Sequence, residues 1–353
     1  MTHHRATKVA AALVLITSIT LLAPPGDAAS NPDARRILYV RAGDIYSVRP
    51  DGSGEHRLTH TGNNGQPAWS PSGHGIVFVS RRDGDMEIFT MGPAGGDLKK
   101  LTHNGRIDTH PSWSPDGARI AFVRDFRFLR FETDPVIGAE LWLMDANGGA
   151  QHRFHLGTGG AFDGFQESFF DPVWSPNGAF IAGTGIEWAP TQDNALWVRD
   201  VVSGDATLVV GGHYSTPAWT RSGAALACTY DGLYRFPPNG PGGTLLMPTT
   251  DSFGCFFPGM SGGSRFVSYV TNGVLRGREL ATDTDVALTV LGGFGYGSGT
   301  PYCSATCWAV RHPYDWSPSG RLMAAATPDG IRVVAPDNST SRLLPVRGTD
   351  PNW

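Results

Sequence analysis

Histidine, carboxylate and amide side chains recur in this sequence immediately before a proline that is followed, two or three residues later, by a tryptophan. Such side chains are ordinary ligands of divalent cations and polar molecules, so their recurrence predicts a binding site wherever the fold brings the copies together. Similar residues lie two to four positions before some of these pre-proline residues. The predicted ligand-binding residues are Gln66, Asp108, His110, Glu167, Asp171, His213, His312 and Asp350.

The alternative is that these groups only keep a water-filled channel polar. The sequence gives no reason to name a metal, and no cofactor is predicted firmly, with a divalent cation left open.

Another motif with chemical meaning is Gly-Met-Ser-Gly-Gly at 259–263, which fits the G-x-S-x-G pattern of serine hydrolases with Ser261 as the nucleophile. That pattern marks a nucleophile only at a turn between a strand and a helix. Here the strand-like run 265–270 follows it. The sequence therefore predicts an ordinary turn, and no catalytic residue is predicted.

The elements that position these residues are copies of one repeat, Pro-x-Trp-Ser-Pro-(Ser/Asp/Asn)-Gly followed by a short apolar run. Such apolar, β-branched runs between glycine-containing turns are typical of strands. Intervals of about 40 to 45 residues fit one four-stranded propeller blade per repeat. Copies of the turn lie at 67–73, 111–117, 172–178, 217–223 and 316–320, and a decayed copy lies at 258–263.

The two ends of the repeat region are fragments of one further repeat. An apolar run at 36–40 supplies the later part, and residues 350–353 supply another Pro-x-Trp segment. Pairing the two fragments completes a blade and removes the exposed strand edges of an open ring. The predicted fold is all-β, a single β-propeller of seven four-stranded blades closed by its amino- and carboxy-terminal segments. Six blades is the alternative, because the copy at 258–263 is degraded.

The repeated Pro-x-Trp-Ser-Pro-Asp/Asn-Gly turn, with Asp-Gly-Ser-Gly and Leu-Thr further along the repeat, resembles the TolB-type propellers, also called WD40-like β-propeller repeats. The resemblance covers about residues 36–353. It implies the fold rather than an activity, because propellers host many unrelated functions. The protein that names the family carries an α/β domain before its propeller. We expect no such domain in this sequence.

Residues 1–28 are predicted to be a secretory signal peptide, since Arg5 and Lys8 precede an apolar run and a small-residue site. Residues 29–353 then form the propeller domain of a secreted, periplasmic or cell-envelope protein. The apolar run is short for a membrane span, so no span is expected after cleavage, with an uncleaved anchor as the alternative. The formal net charge of −4 gives no attraction to nucleic acid, and a monomer is expected.

All four cysteines follow the predicted leader, and export permits disulfides. The favoured pairs are Cys228 with Cys255 and Cys303 with Cys307, because the second pair is local and the first joins neighbouring repeats. The other pairings remain open. A metal site of these thiols is disfavoured, since no C-x-x-C spacing occurs.

Long insertions are concentrated in the loops between repeats and in the links in the middle of each repeat, which share one face of the ring. Insertions on one face of a repeat ring mark the binding side. Packing beneath the loops is the alternative role of their aromatic residues. The predicted partner-binding residues are Phe126, Phe128, Phe131, Phe162, Phe165, Phe169 and Trp188.

These features predict an exported, non-enzymatic binding or scaffold protein whose aromatic face contacts a protein or an envelope polysaccharide. The alternative is a carbohydrate-active lyase or hydrolase with a metal at the mouth of the propeller channel. Oligogalacturonate lyases are a similar case, being propellers with a channel metal held by His and Gln.

Overall fold

The computed structural model describes residues 35–131, 134–154, 168–186, 194–211, 216–229, 231–238, 240, 242–248, 256–261, 263–291 and 313–353. Within these residues the chain forms strands and turns without a helix, and the strands make seven antiparallel sheets of four. The sheets are the blades of a seven-bladed β-propeller, which confirms the predicted fold class. All of them lie in the compact unit Pro32–Trp353.

Blades 1 to 3 are built from the first eleven strands and the last one. Blade 1 contains β1 (Ile37–Arg41), β2 (Asp44–Val48), β3 (His56–Arg57) and β28 (Thr349–Asn352). Blade 2 contains β4 (Asn64–Trp69), β5 (Ile76–Ser80), β6 (Glu87–Met91) and β7 (Lys99–Lys100). Blade 3 contains β8 (Asp108–Trp113), β9 (Arg119–Phe131), β10 (Asp134–Asp145) and β11 (His152–Arg153).

Blades 4 to 7 follow in chain order. Blade 4 contains β12 (Ser168–Trp174), β13 (Phe180–Ile186), β14 (Asn194–Asp200) and β15 (Ala206–Gly211). Blade 5 contains β16 (Ala218–Trp219), β17 (Ala225–Cys228), β18 (Gly232–Phe236) and β19 (Thr244–Pro248). Blade 6 contains β20 (Phe256–Met260), β21 (Phe266–Thr271), β22 (Val274–Glu279) and β23 (Thr284–Val290). Blade 7 contains β24 (Tyr314–Trp316), β25 (Met323–Thr327), β26 (Gly330–Val334) and β27 (Ser341–Leu343).

Blade 1 closes the ring because its innermost strand comes from the carboxy-terminal segment. Strand β28 pairs antiparallel with β1, with Leu38 opposite Asn352. The Trp353 side chain is buried in a cluster with Ile37 of blade 1 and Val333 of blade 7. The terminal segments therefore complete one blade, as the repeat pattern predicted.

The repeated turn joins the two inner strands of blades 2 to 7 with one hydrogen-bond pattern. In blade 2 the amide of Gly73 donates to the carbonyl of Ser70 (2.9 Å), and the Ser70 hydroxyl accepts from the amide of Gly75 (3.0 Å). Gly73 has φ of +74°, a left-handed conformation that glycine adopts without a steric penalty.

The decayed copy in blade 6 folds into the same turn. The Ser264 amide donates to the Ser261 carbonyl (2.9 Å), and Ser264 adopts φ of +56° where other copies have glycine. The blade is therefore complete, and the seven-blade prediction is right over the six-blade alternative.

The blades pack face to face, so the middle strands are buried on both sides. All five residues of β5 are buried, as expected where both faces of a sheet are covered. The repeat tryptophans lie between neighbouring blades. Trp69 packs with Leu38 and Ile45 of blade 1, and its indole N–H donates to the carbonyl of Arg36 (2.9 Å).

The strand order gives the ring two different faces. The turns between the first and second strands and between the third and fourth strands lie on one, which we call the turn face. The links between the second and third strands and the loops between blades lie on the other, which we call the hairpin face.

Candidate functional site

In blades 1 to 4 and 6 the residue before the repeat proline lies in the innermost strand, which lines the channel. It adopts a left-handed backbone at five equivalent positions, although non-glycine residues seldom do so. The pairing register shifts at this point in each of these strands, and such β-bulges redirect a side chain. The φ angles are +51° at Gln66, +53° at His110, +51° at Asp171, +49° at Phe257 and +54° at Asp350.

Four pre-proline residues form a continuous row across blades 2 to 5. The Gln66 side-chain oxygen accepts from the amide of His110 (2.7 Å). The His110 Nε2 atom lies 3.3 Å from Asp171 Oδ1. The Thr216 hydroxyl donates to Asp171 Oδ2 (3.1 Å). The structure thus brings together Gln66, His110 and Asp171 of the predicted ligand set, and we call them with Thr216 the channel row.

Solvent reaches the middle of the channel row. The side chains of His110 and Asp171 are 20% and 23% exposed, whereas Gln66 and Thr216 are buried. A histidine beside a carboxylate can bind a polar ligand or transfer a proton. Asp350 holds the equivalent place in blade 1 and is buried.

Asp108 lies in a different environment from the residues of the channel row. Its carboxylate accepts from Arg124 Nε (2.7 Å) and Arg124 Nη2 (2.8 Å) and from the Asn104 amide nitrogen (2.7 Å). The carboxylate is completely buried, and a buried carboxylate requires such partners. The structure therefore places Asp108 in a buried ion pair, apart from the channel row.

Two polar residues that the sequence did not single out fasten the closing strand. The Asp315 carboxylate of blade 7 accepts from the amide of Trp353 (3.0 Å) and from the Asn352 side chain (3.1 Å). The Asn352 side-chain oxygen in turn accepts from the amide of Trp69 in blade 2 (3.0 Å). The only sequence signal is the extra residue that separates Pro313 from Trp316 in this copy.

Comparison with known proteins identifies the repeat. A family model described as the TolB beta propeller domain matches residues 30–154, which include blades 2 and 3 and three strands of blade 1. The Tol-Pal system protein TolB of Francisella tularensis is 35% identical over 91 residues, covering 24% of this chain and 21% of that protein. Over residues 30–154 this chain is therefore similar to the TolB-type β-propellers.

A longer match is with an uncharacterised protein of Agrobacterium fabrum, which is 32% identical to this chain over 153 residues. That match covers 42% of this chain and 50% of the relative. The chain therefore spans half or less of the length of these curated relatives.

Solved structures share the fold at low sequence identity. TolB from Acinetobacter baumannii has a TM-score of 0.54 at 16% identity, covering 92% of this chain and 67% of that one. An oligogalacturonate lyase in complex with manganese has a TM-score of 0.59 at 14% identity, covering 88% and 83%. A puromycin hydrolase has 0.60 at 17%, covering 89% and 52%. Binding proteins and enzymes thus share this architecture, and the likeness supports the fold alone.

Ser261 of the G-x-S-x-G motif is held within its turn in this propeller. Its hydroxyl accepts from the amide of Phe266 (3.0 Å), and the residue is buried. The strand β21 follows, as the sequence predicted. Ser261 therefore has the turn-forming role of Ser70 in blade 2.

Phe169, one of the predicted partner-binding residues, lies in the interior. Phe169 is buried in a core cluster with Leu141 and Trp174. A side chain at residue 183 would lie 2.2 Å from the Phe169 ring, so the glycine there makes room for it. Phe169 therefore packs between blades 3 and 4 and is unavailable to a partner.

The remaining predicted residues lie in part or wholly outside the described structure. Phe126, Phe128 and Phe131 belong to β9, but their side chains are outside the described part. Cys228 is buried on β17, and the cysteine pairings stay predictions. Residues wholly outside the described ranges are Phe162, Phe165, Glu167, Trp188, His213, Cys255, Cys303, Cys307, His312 and the leader 1–28.

Two further features are absent from the part of the chain that the structure describes. The described His, Cys, Asp and Glu side chains form no group of three or more that could hold a metal ion. The described residues also contain no helix of the length and apolarity needed to cross a membrane.

Proposed function

We propose that this propeller is a non-enzymatic binding module, exported to the cell envelope or beyond it, that holds a protein or an envelope polysaccharide on its hairpin face. The β9–β10 hairpin is the observation that carries the proposal. Its strands have 13 and 12 residues, whereas the equivalent strands β5 and β6 of blade 2 have 5 each.

The added length begins where β8 stops covering β9. Asp108 is the first β8 residue paired with β9, opposite Arg124. Beyond Arg124 the hairpin continues for about seven residues in each strand, or about 20 Å of extended backbone. This extension departs from the hairpin face, beside the loops between blades. Segments that exceed the repeat on one face of a ring are the usual carriers of its binding function.

Aromatic residues make this face suitable for a partner. Phe126, Phe128 and Phe131 lie on the extension, and Phe162, Phe165 and Trp188 lie in the sequence insertions 157–170 and 185–194. Aromatic side chains supply much of the binding energy of protein interfaces, and their flat rings also stack on sugars. The partner is therefore a protein surface or a polysaccharide with exposed apolar faces.

A shortened hairpin tests the proposal. Replacing residues 126–138 with Asn-Gly, a sequence that favours two-residue hairpin turns, joins the paired residues Asp125 and Ala139. This change should abolish capture of the natural partner and leave the melting temperature nearly unchanged. Phe126→Ala with Phe128→Ala tests the side chains in the intact hairpin. The matched control is Val202→Ala, because Val202 is exposed on the turn face. Undiminished capture of the partner by the shortened variant would show that the hairpin is not the binding site.

The channel row supports a second candidate, a carbohydrate-active lyase or hydrolase. His110 and Asp171 are adjacent and partly exposed, which suits proton transfer to or from a bound sugar. Purified protein would be assayed on acidic and neutral polysaccharides with and without added divalent ions, alongside His110→Ala and Asp171→Asn. Activity lost in both variants would favour the enzyme, whereas no activity under any condition would favour the binding module.

Export is tested separately by intact mass. A secreted or periplasmic product that begins near residue 29 would support the leader, and a retained residue 1 in a membrane fraction would support an uncleaved anchor.

A further inference from the structure

The channel row ends at blade 5, where the Thr216 hydroxyl donates to Asp171 of blade 4. The next pre-proline residue around the ring is Phe257 of blade 6. A phenyl ring has no hydrogen-bond donor or acceptor of the kind that forms the row, so its side chain cannot extend it. The channel row therefore leaves the junction between blades 5 and 6 to another kind of contact.

A bonded cysteine lies at this junction. Cys228 is the last residue of β17 in blade 5, and it is completely buried. It packs in one cluster with Leu233 of its own blade and with Val267 and Tyr269 of blade 6. Cys228 is disulfide-bonded in the structure. A covalent link is therefore present where the channel row ends.

The strand directions indicate which cysteine is the partner. The other cysteines of the chain are Cys255, Cys303 and Cys307. Strand β17 runs towards the hairpin face and ends at Cys228, whereas β20 begins at the hairpin face with Phe256. These two strands contact each other, and residue 255 directly precedes β20. A disulfide requires Cα atoms about 4.4 to 6.8 Å apart, and of the three candidates only Cys255 adjoins a strand that contacts β17.

We propose that Cys228 and Cys255 form a disulfide that locks blades 5 and 6 together after export. Each thiol gives up one proton and one electron as the S–S bond forms. A protein disulfide of the oxidising compartment takes up both and becomes a dithiol. Reducing compartments keep such thiols reduced, so the lock forms only when the chain has left the cytoplasm. The inference rests on the export that is part of the proposed function.

The lock encloses the outer half of blade 5. The segment between the two cysteines, residues 229–254, carries strands β18 and β19. A disulfide across such a segment stabilises the fold mainly by restricting the unfolded chain. For a chain of this size, the usual stabilisation by one disulfide corresponds to a melting temperature roughly 3 to 6 °C higher.

Tryptic digestion without reductant identifies the pairing. Trypsin cleaves after arginine and lysine, which places the two proposed partners in separate peptides and the other two cysteines together in a third. These peptides are 222–235, 236–265 and 279–311. Mass spectrometry of the exported protein should find peptide 222–235 bonded to peptide 236–265. A bond from 222–235 to 279–311 would overturn the pairing, and free thiols in the exported protein would overturn the lock.

A comparison of compartments tests when the bond forms. Residues 29–353 produced in a reducing cytoplasm should carry both free thiols and melt roughly 3 to 6 °C below the exported protein. Refolding this product in oxidised glutathione tests the bond without export. Failure of the bond to form on refolding would overturn the pairing itself. A bond that forms on refolding, in a chain that cells do not export, would overturn only the export.

Two double variants separate this pair from the other cysteines. Cys228→Ala with Cys255→Ala should melt at or below the temperature of the reduced wild-type protein. The reduced protein keeps both side chains, so it measures the bond without the cavity that Cys228→Ala leaves. The matched control, Cys303→Ala with Cys307→Ala, removes two thiols and leaves the proposed pair intact. It should keep peptides 222–235 and 236–265 bonded, and an equal loss of stability in both double variants would contradict the lock.

Discussion

Blades 1 to 3 and blades 4 to 7 share one interior and differ in their outer walls. The Ser70 turn recurs as the Ser175 turn of blade 4, with amide-to-hydroxyl bonds of 3.0 and 2.9 Å. Trp219 of blade 5 donates to the carbonyl of Val173 (2.9 Å), as Trp69 donates to that of Arg36. The outermost strands, however, have two residues in each of blades 1 to 3. They have six, five and seven residues in blades 4 to 6 and three in blade 7.

The difference shows which part of the repeat the ring requires. The inner turn and tryptophan must recur because every blade packs against two neighbours. The outermost strand has a neighbour on one side only, so its sequence can vary. The match to the TolB beta propeller family ends at residue 154, where blade 3 ends. It therefore covers the region whose outermost strands are short.

The largest expected difference between the two regions comes from matched arginine substitutions. Arg124→Met in blade 3 would leave the fully buried Asp108 carboxylate without its cation, which should cost about 3 to 5 kcal/mol. Arg276→Met in blade 6 removes the partner of Asp285, whose side chain is 25% exposed. That loss should be at most about 1 kcal/mol. Urea unfolding measures both losses of unfolding free energy. Equal losses would show that the buried and the partly exposed ion pair contribute alike.

A smaller effect depends on pH and concerns Asp44 of blade 1. Burial alone would raise the pKa of Asp44, but hydrogen bonds from Arg57, Gly62 and Thr59 outweigh it and lower the pKa below its ordinary value of 3.8. The stability that the charged form contributes is then present above 3.8 and is lost as the pH falls through the lowered value.

Asp44→Asn should therefore destabilise the protein by about 1.5 to 3 kcal/mol at neutral pH, the range for hydrogen bonds to charged groups. The difference from wild type should shrink below pH 3.8. Chemical unfolding at pH 7 and near pH 3 tests this. Blade 4 has Ala195 at the same position, so it lacks this carboxylate. If the Asp44 variant lost the same unfolding free energy at both pH values, the charge of Asp44 would not account for the difference between the two regions.

The smallest expected effect should be the same in both regions. Trp69→Phe and Trp219→Phe each remove one indole hydrogen bond between blades, at a cost of about 0.5 to 1.5 kcal/mol. The indole N–H of Trp113 has no partner among the described residues, so Trp113→Phe is the control and should cost less. Unequal losses at Trp69 and Trp219 would mean that the interiors differ as well.

The sequence predicted the features that recur. Turn spacing gave the blade number, and Trp353 predicted the closure, because a propeller blade cannot be completed without a fourth strand. The left-handed backbone at Gln66 and His110 was unpredictable, since a residue before proline normally adopts an extended conformation. It depends on a bulge that exists only once the inner strand pairs with its neighbour.

The surroundings of two predicted site residues depend on contacts that the sequence does not show. Asp108 looked like a ligand because it lies two residues from His110, but its partner Arg124 is on the next strand. Phe169 looked exposed because it follows a long insertion. Its environment depends on Gly183, across the sheet, whose missing side chain makes room for the ring.

The central claim is that β28 seals the ring by pairing with β1. Deleting residues 349–353 removes a strand, the Trp353 side chain and the hydrogen bonds to Asp315. Loss of the buried aromatic alone should cost about 3 to 5 kcal/mol. Thermal unfolding followed by circular dichroism should therefore show a clearly lower melting temperature, with Thr349→Ala, an exposed position in the same strand, close to wild type. An unchanged melting temperature after the deletion would contradict the closed ring.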